Sequence, residues 1–184
     1  MKGDMTMQQA EWMDQLVYDL VARYTAEVLP SGLIRLELTM PGHGVLVIEE
    51  LIKQRQMRVA YLLFTAHHQP VPEPELLFYI DPAGHWIPYA INRITAGRYE
   101  FADLDIIDGQ LLVTDVKNQA ALALFADFWA ETLRVQGWLE QATKSHTSPL
   151  LDSSYQPPWP DWETLRRWLW WLEGENGCTA TNGC

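Results

Sequence analysis

The chain has 184 residues, of which 48% are hydrophobic and 20% charged, and this composition excludes a largely disordered protein. Its 13 basic and 24 acidic residues leave a net charge of -11, which opposes binding to nucleic acid or to an anionic membrane surface. Because no run of about 18 apolar residues and no secretory signal is visible, we expect a cytoplasmic protein.

The first predicted element is an amphipathic helix between Met7 and Val28. Apolar residues recur there at intervals of three and four, which is the period of one helix face. They are Met13, Leu16, Val17, Leu20, Tyr24 and Val28. The helix should end at residues 29–32, because proline disfavours helical geometry in the residue that precedes it.

An antiparallel meander of about five strands is predicted next. Residues 33–40 alternate, with Leu36 and Leu38 on the apolar side, which indicates a strand with one wet face. Residues 57–66 are apolar on both faces and predict a buried strand. Between them, residues 45–56 fit either a strand followed by a helix or a helix throughout.

Glu49, Glu50 and Lys53 have the spacing of ion pairs on a helix surface, which is how we interpret them at this stage. The proline-rich residues 67–75 are predicted to form a connection, because each residue before a proline favours extended backbone.

Two hairpins are predicted in the second half of the meander. Asp81, Pro82 and Gly84 occupy the positions that a type I turn uses. Asp108 and Gly109 can form a tight two-residue turn between the strands of the second hairpin.

A long helix is predicted from Val116 to about Leu139, and Gly137 can end it. Its apolar stripe consists of Leu122, Phe125, Trp129 and Leu133, with Phe128 beside them. The predicted fold class is therefore α+β, with an N-terminal helix, the sheet and this long helix packed on it. We assign residues 1–143 to the core domain and residues 144–184 to a Ser/Pro-rich linker, a short Trp-rich helix and a tail.

The Trp-rich accessory helix is predicted at about residues 161–173, with Asp161 as its cap and Gly174 as its end. One stripe is apolar and suited to docking on the domain; it consists of Trp162, Leu165, Trp168, Leu169 and Leu172. Trp170 and Trp171 lie off that stripe, and tryptophan beside arginine is typical of protein interfaces. The alternative is that the whole helix packs on its own domain.

The expected function is therefore a non-enzymatic protein-binding module, either an adaptor or a chaperone-like protein. Its partner would be another protein or a second copy of itself, giving a dimer. The predicted partner-binding residues are Trp159, Arg166, Arg167, Trp170 and Trp171.

The alternative is a small enzyme or ligand-binding domain, although common nucleotide-binding, hydrolase and metal motifs are missing. It would use the loop residues His43, His67 and His85 together with the hairpin carboxylates Asp103, Asp105 and Asp108. The simpler interpretation is that these histidines are solvated, so we expect no metal site, no cofactor and no assignable catalytic residue. Cys178 and Cys184 lie in a Gly/Thr/Asn-rich tail and are too few to form a zinc site.

Overall fold

The computed structural model describes residues 7–67, 69–94, 96–105 and 110–145. The helices in these ranges are α1 (Glu11–Tyr24), α2 (Val116–Val135) and α3 (Trp138–Gln141). The strands are β1 (Glu27–Val28), β2 (Ile34–Thr39), β3 (Val45–Ile52), β4 (Gln56–Phe64), β5 (Pro70–Ile80), β6 (Trp86–Arg93), β7 (Gly97–Glu100), β8 (Ala102–Asp105), β9 (Gln110–Val113) and β10 (Thr143–Lys144).

Strands β1 to β7 form an antiparallel sheet in chain order, and β10 adds to β2 as an eighth strand. Strands β8 and β9 pair separately as a hairpin. The α+β class is confirmed, but the predicted number of about five strands is too low. The undecided residues 45–52 form β3, and the proline-rich residues 70–74 begin β5 rather than a connection.

Glu49 and Glu50 lie in β3, so their predicted pairing on a helix is wrong. Successive strand residues point to opposite faces. Glu50 is buried, and its carboxylate accepts hydrogen bonds from the backbone N–H of Ile34 and of Gln54. It therefore joins β2 to the turn after β3.

The main core lies between one face of the sheet and the two long helices. Leu36 and Leu38 of β2 are buried there, as the alternation predicts. The cross-strand row Leu36, Ile48, Val59, Leu76 and Ile91 continues this face through five strands. Such registered apolar rows are what a helix layer can cover.

Helices α1 and α2 pack side by side and run in the same direction. Asp127 of α2 bonds to the N–H of Trp12 at the start of α1. About two turns later along both helices, Arg134 of α2 pairs with Asp19 of α1 at 3.1 Å. None of the helices in the described ranges is long and apolar enough to cross a membrane.

The opposite face of the sheet carries a row of half-buried ion pairs. Arg35 and Arg58 both contact Glu49, at 2.9 and 3.1 Å, and Arg58 also pairs with Glu75. The amide of Asn92 donates to Glu75 at 3.0 Å. Burial alone would raise the pKa of Glu75, but the hydrogen bonds from Asn92 and Arg58 outweigh it and lower that pKa. The row links five strands and leaves both arginines paired.

After α2 the chain turns back to the sheet edge. Gly137 has a φ of 86°, the left-handed conformation that commonly ends a helix. Trp138 follows and is fully buried, with its ring 5.8 Å from that of His43 and 5.9 Å from that of Tyr61. This anchor places β10 on the edge of β2.

Candidate protein-binding surface

The predicted partner-binding residues lie outside the described residues. These are Trp159, Arg166, Arg167, Trp170 and Trp171, and the predicted helix 161–173 lies outside with them. Asp108, the side chain of Asp105 and both cysteines also fall outside. The surface described below therefore lies within residues 7–145, with the gaps given above.

The structure does not bring the three candidate histidines together. In a meander, alternate connections lie at opposite ends of the sheet. His43 follows β2 and His67 follows β4, so both lie at one end. His85 lies in the turn after β5, at the other end. Within the described part of the chain, no group of three His, Cys, Asp or Glu side chains could hold a metal ion.

His85 belongs to the turn that closes the β5–β6 hairpin. Asp81 Oδ1 accepts hydrogen bonds from the N–H groups of Ala83 and His85, and its Oδ2 lies 2.9 Å from His85 Nδ1. Burial alone would raise the pKa of Asp81, but the hydrogen bonds from His85 and Ala83 hold it below its usual value. This pattern explains the turn without requiring a ligand.

His43 differs from the solvated loop residue that was expected. Its ring packs edge-on against Trp138, and its Nδ1 is buried without a hydrogen-bond partner in the described part of the chain. Burial lowers the pKa of His43 and so favours the neutral ring. We interpret His43 as part of the anchor for Trp138.

An apolar stripe runs along the outer side of α2. Leu124, Phe128 and Val135 are 62%, 46% and 79% exposed, and they lie opposite the buried side of the helix. The outer side of a helix on a globular domain is normally polar, so this row of exposed apolar residues is a candidate interaction surface. We call these three residues the α2 stripe.

Trp12 lies next to the α2 stripe because of an unusual helix cap. The residue before α1 is Ala10, which has no side-chain oxygen to cap the helix. Asp127 of α2 acts instead, accepting from the N–H of Trp12 at 2.9 Å and of Met13 at 3.2 Å. Asp127 lies within one turn of Leu124, so Trp12, itself 56% exposed, is held beside the stripe.

Buried Gln119 fixes the chain that leads into α1. Its side-chain amide donates to the carbonyl oxygens of Gln8 at 2.7 Å and Pro88 at 3.1 Å, and its oxygen accepts from Gln8 N–H. This one side chain therefore joins α2 to β6 and to the residues before α1, and it holds the start of α1 against α2.

We expect Asp127→Ala to lower the free energy of unfolding by about 1 to 2 kcal/mol, because the first N–H groups of α1 lose their acceptor. Urea unfolding measures the change. Asp127→Asn is the matched control, since it keeps an acceptor oxygen and should lose less. Equal losses for the two variants would show that the carboxyl oxygen is not acting as the cap.

Asp127 should also make the free energy of unfolding depend on pH. Burial raises the pKa of Asp127, so the folded chain binds this proton at a higher pH than the unfolded chain does. The contribution of Asp127 to stability therefore decreases as the pH rises from about 4 through the folded pKa. Unfolding at several pH values should show that the stability of the wild type relative to Asp127→Asn decreases as the pH rises through this range, because the other titrating groups are common to both proteins.

Comparisons of the chain with protein-family models, with curated proteins and with solved structures find no match. Sequence reasoning overlooked Trp12, Leu124 and Val135 as surface residues. The predicted position of Phe128 beside the core stripe is wrong, because Phe128 lies on the outer side of α2 and is 46% exposed. A usable signal was present, because Leu124, Phe128 and Val135 recur at helical spacing.

Proposed function

We propose that this chain is a non-enzymatic protein-binding module, an adaptor or a chaperone-like protein. The observation that carries the proposal is the α2 stripe, in which Leu124 and Val135 are largely exposed beside Trp12. Removing such side chains from water on association is the main favourable contribution at protein interfaces.

The aromatic C-terminal helix predicted from the sequence is the second part of the proposed surface. Trp170 and Trp171 lie off its docking stripe, next to Arg166 and Arg167. Tryptophan and arginine are enriched among the residues that dominate binding energy at interfaces. The net charge of -11 further favours a protein partner over a nucleic acid.

We expect Trp170→Ala to weaken association by about 2 kcal/mol or more while changing the stability of the monomer by under about 1 kcal/mol. Sedimentation velocity over a concentration series measures self-association. Quantitative co-purification from the native host compares the wild type and the variant for binding to another protein.

Leu169→Ala is the matched control, because Leu169 lies on the stripe of the same predicted helix that faces the domain. Its loss should mainly lower the melting temperature, since removing a docked leucine leaves a cavity. A Trp170→Ala variant that associates normally but melts earlier would show that the aromatic helix is structural, and the proposed function would lose this part of its surface.

A further inference from the structure

We propose that the α2 stripe is the docking site for the chain's own predicted helix 161–173, which packs antiparallel to α2. This inference rests on the proposed function and refines it: the α2 stripe holds the aromatic helix on the domain, and the outward side of that helix is the surface that meets the partner. Trp170 and Trp171 would then face away from α2 and remain available to a partner.

The described chain ends close to the correct end of α2. Ser145 N–H bonds to the carbonyl of Glu37, and Lys144 Nζ donates to the carbonyl of Thr25, at 2.9 and 2.7 Å. Thr25 follows the last residue of α1, and α1 runs parallel to α2. The chain therefore leaves the domain near the end of the helix layer where Val135 lies.

The connecting residues 146–160 are long enough to allow this docking. Fifteen residues span at most about 50 Å when extended, whereas the whole of α2 is about 30 Å long. A helix that starts near Val135 then runs back along α2 without the linker crossing the domain. This geometry favours the antiparallel direction.

The lengths of the two apolar stripes also agree. Leu124 and Val135 are about 16 Å apart along α2, from the rise of about 1.5 Å per residue. Trp162 and Leu172 are about 15 Å apart along the predicted helix by the same rise. One stripe can therefore cover the other along its full length.

The register of the antiparallel pair follows from these lengths. If Trp162 packs on Val135, Arg166 lies within one residue of Thr132 along the contact. At about 100° per residue, Arg166 and Thr132 lie on the same flank of the two apolar stripes, so these two positions should be close together.

The area of the stripe favours a tethered segment over a second copy of the domain. With a length of about 16 Å and a helix width of about 10 Å, the α2 stripe offers about 160 Å². Two such faces fall short of the roughly 1,200 Å² that specific interfaces between separate proteins bury. A segment joined by a short linker meets its site at a local concentration of about a millimolar, so a weak contact is sufficient.

Disulfide trapping in the full chain tests the inference. In a background that carries Cys178→Ser and Cys184→Ser, we compare Thr132→Cys with Arg166→Cys against the control pair Lys117→Cys with Arg166→Cys. Lys117 is exposed near the other end of α2, about 22 Å from Thr132 along the helix. We expect the first pair to form an intrachain disulfide at least tenfold faster, on non-reducing gels of dilute protein.

A further substitution tests whether disulfide formation depends on the α2 stripe. Adding Leu124→Asp should slow disulfide formation in the first pair at least tenfold, whereas Tyr18→Asp, on an exposed part of α1, should not. Both side chains are largely exposed, so thermal melts should show that both variants fold.

Each outcome bears on the inference. Equal rates in the two pairs, no disulfide in either, or a disulfide between two chains would overturn docking of the chain's own helix on α2. Trp170→Ala should leave the trapping rate unchanged, so a failure of partner binding with normal trapping would count against the proposed function and not against the docking site.

Discussion

Leu36→Asp should abolish folding. Leu36 is 1% exposed and lies in the apolar cross-strand row of the main core, opposite Ile48 of β3. An unpaired carboxylate cannot be placed there without losing its hydration, and no cation lies on that face of β2 to compensate. Circular dichroism and thermal melting should show no cooperative transition.

The milder substitution Leu36→Ala keeps this prediction measurable, with an expected loss of about 3 kcal/mol from the cavity it leaves. Val28→Asp is the matched control, because Val28 lies in the neighbouring strand β1 and is 68% exposed. It should fold normally. A soluble, cooperatively melting Leu36→Asp would mean that the two faces of β2 are reversed.

Trp138→Ala should lower the free energy of unfolding by about 4 kcal/mol, because it removes a fully buried tryptophan from the core. The indole contacts the rings of His43 and Tyr61, and its Nε1 donates to Gln136 at 3.0 Å. Its loss should also release β10 from the edge of β2. Hydrogen exchange at Ser145, whose N–H bonds to Glu37, reports that release.

Trp12→Ala provides the comparison for this prediction, since Trp12 is 56% exposed and its loss should change stability by under about 1 kcal/mol. If Trp138→Ala were no more damaging than Trp12→Ala, the anchoring of β10 by Trp138 would be refuted. Retained protection of the Ser145 N–H in Trp138→Ala would have the same meaning.

The two long helices and the first hairpin were predictable because local patterns decide them. Helix α1 has one apolar face with period 3.6, and the buried residues Met13, Leu16, Val17 and Leu20 all come from the predicted set. The helix ends at Tyr24, however, so the predicted member Val28 lies in β1 instead. Asp81 to Gly84 form the predicted turn, since Asp81 accepts hydrogen bonds from the backbone that follows it. Such choices depend on neighbours within a few residues.

The site was less predictable than the helices that carry it. Periodicity identifies the buried side of α2, but it cannot show that no described element covers Leu124 or Val135. The position of Trp12 depends on Asp127, which is 115 residues away in the chain. No local pattern links two such residues.

The sequence by itself determined the α+β class, the faces of α1 and β2, and the break after α2 at Gly137. The tertiary structure alone decided that residues 45–52 form a strand, because their apolar run fits a helix equally well until β2 and β4 supply the backbone hydrogen bonds. It also decided that proline-rich residues 70–74 extend β5 and that His85 lies apart from His43. Strand pairing joins residues that are distant in sequence, and so it carries information that no short window contains.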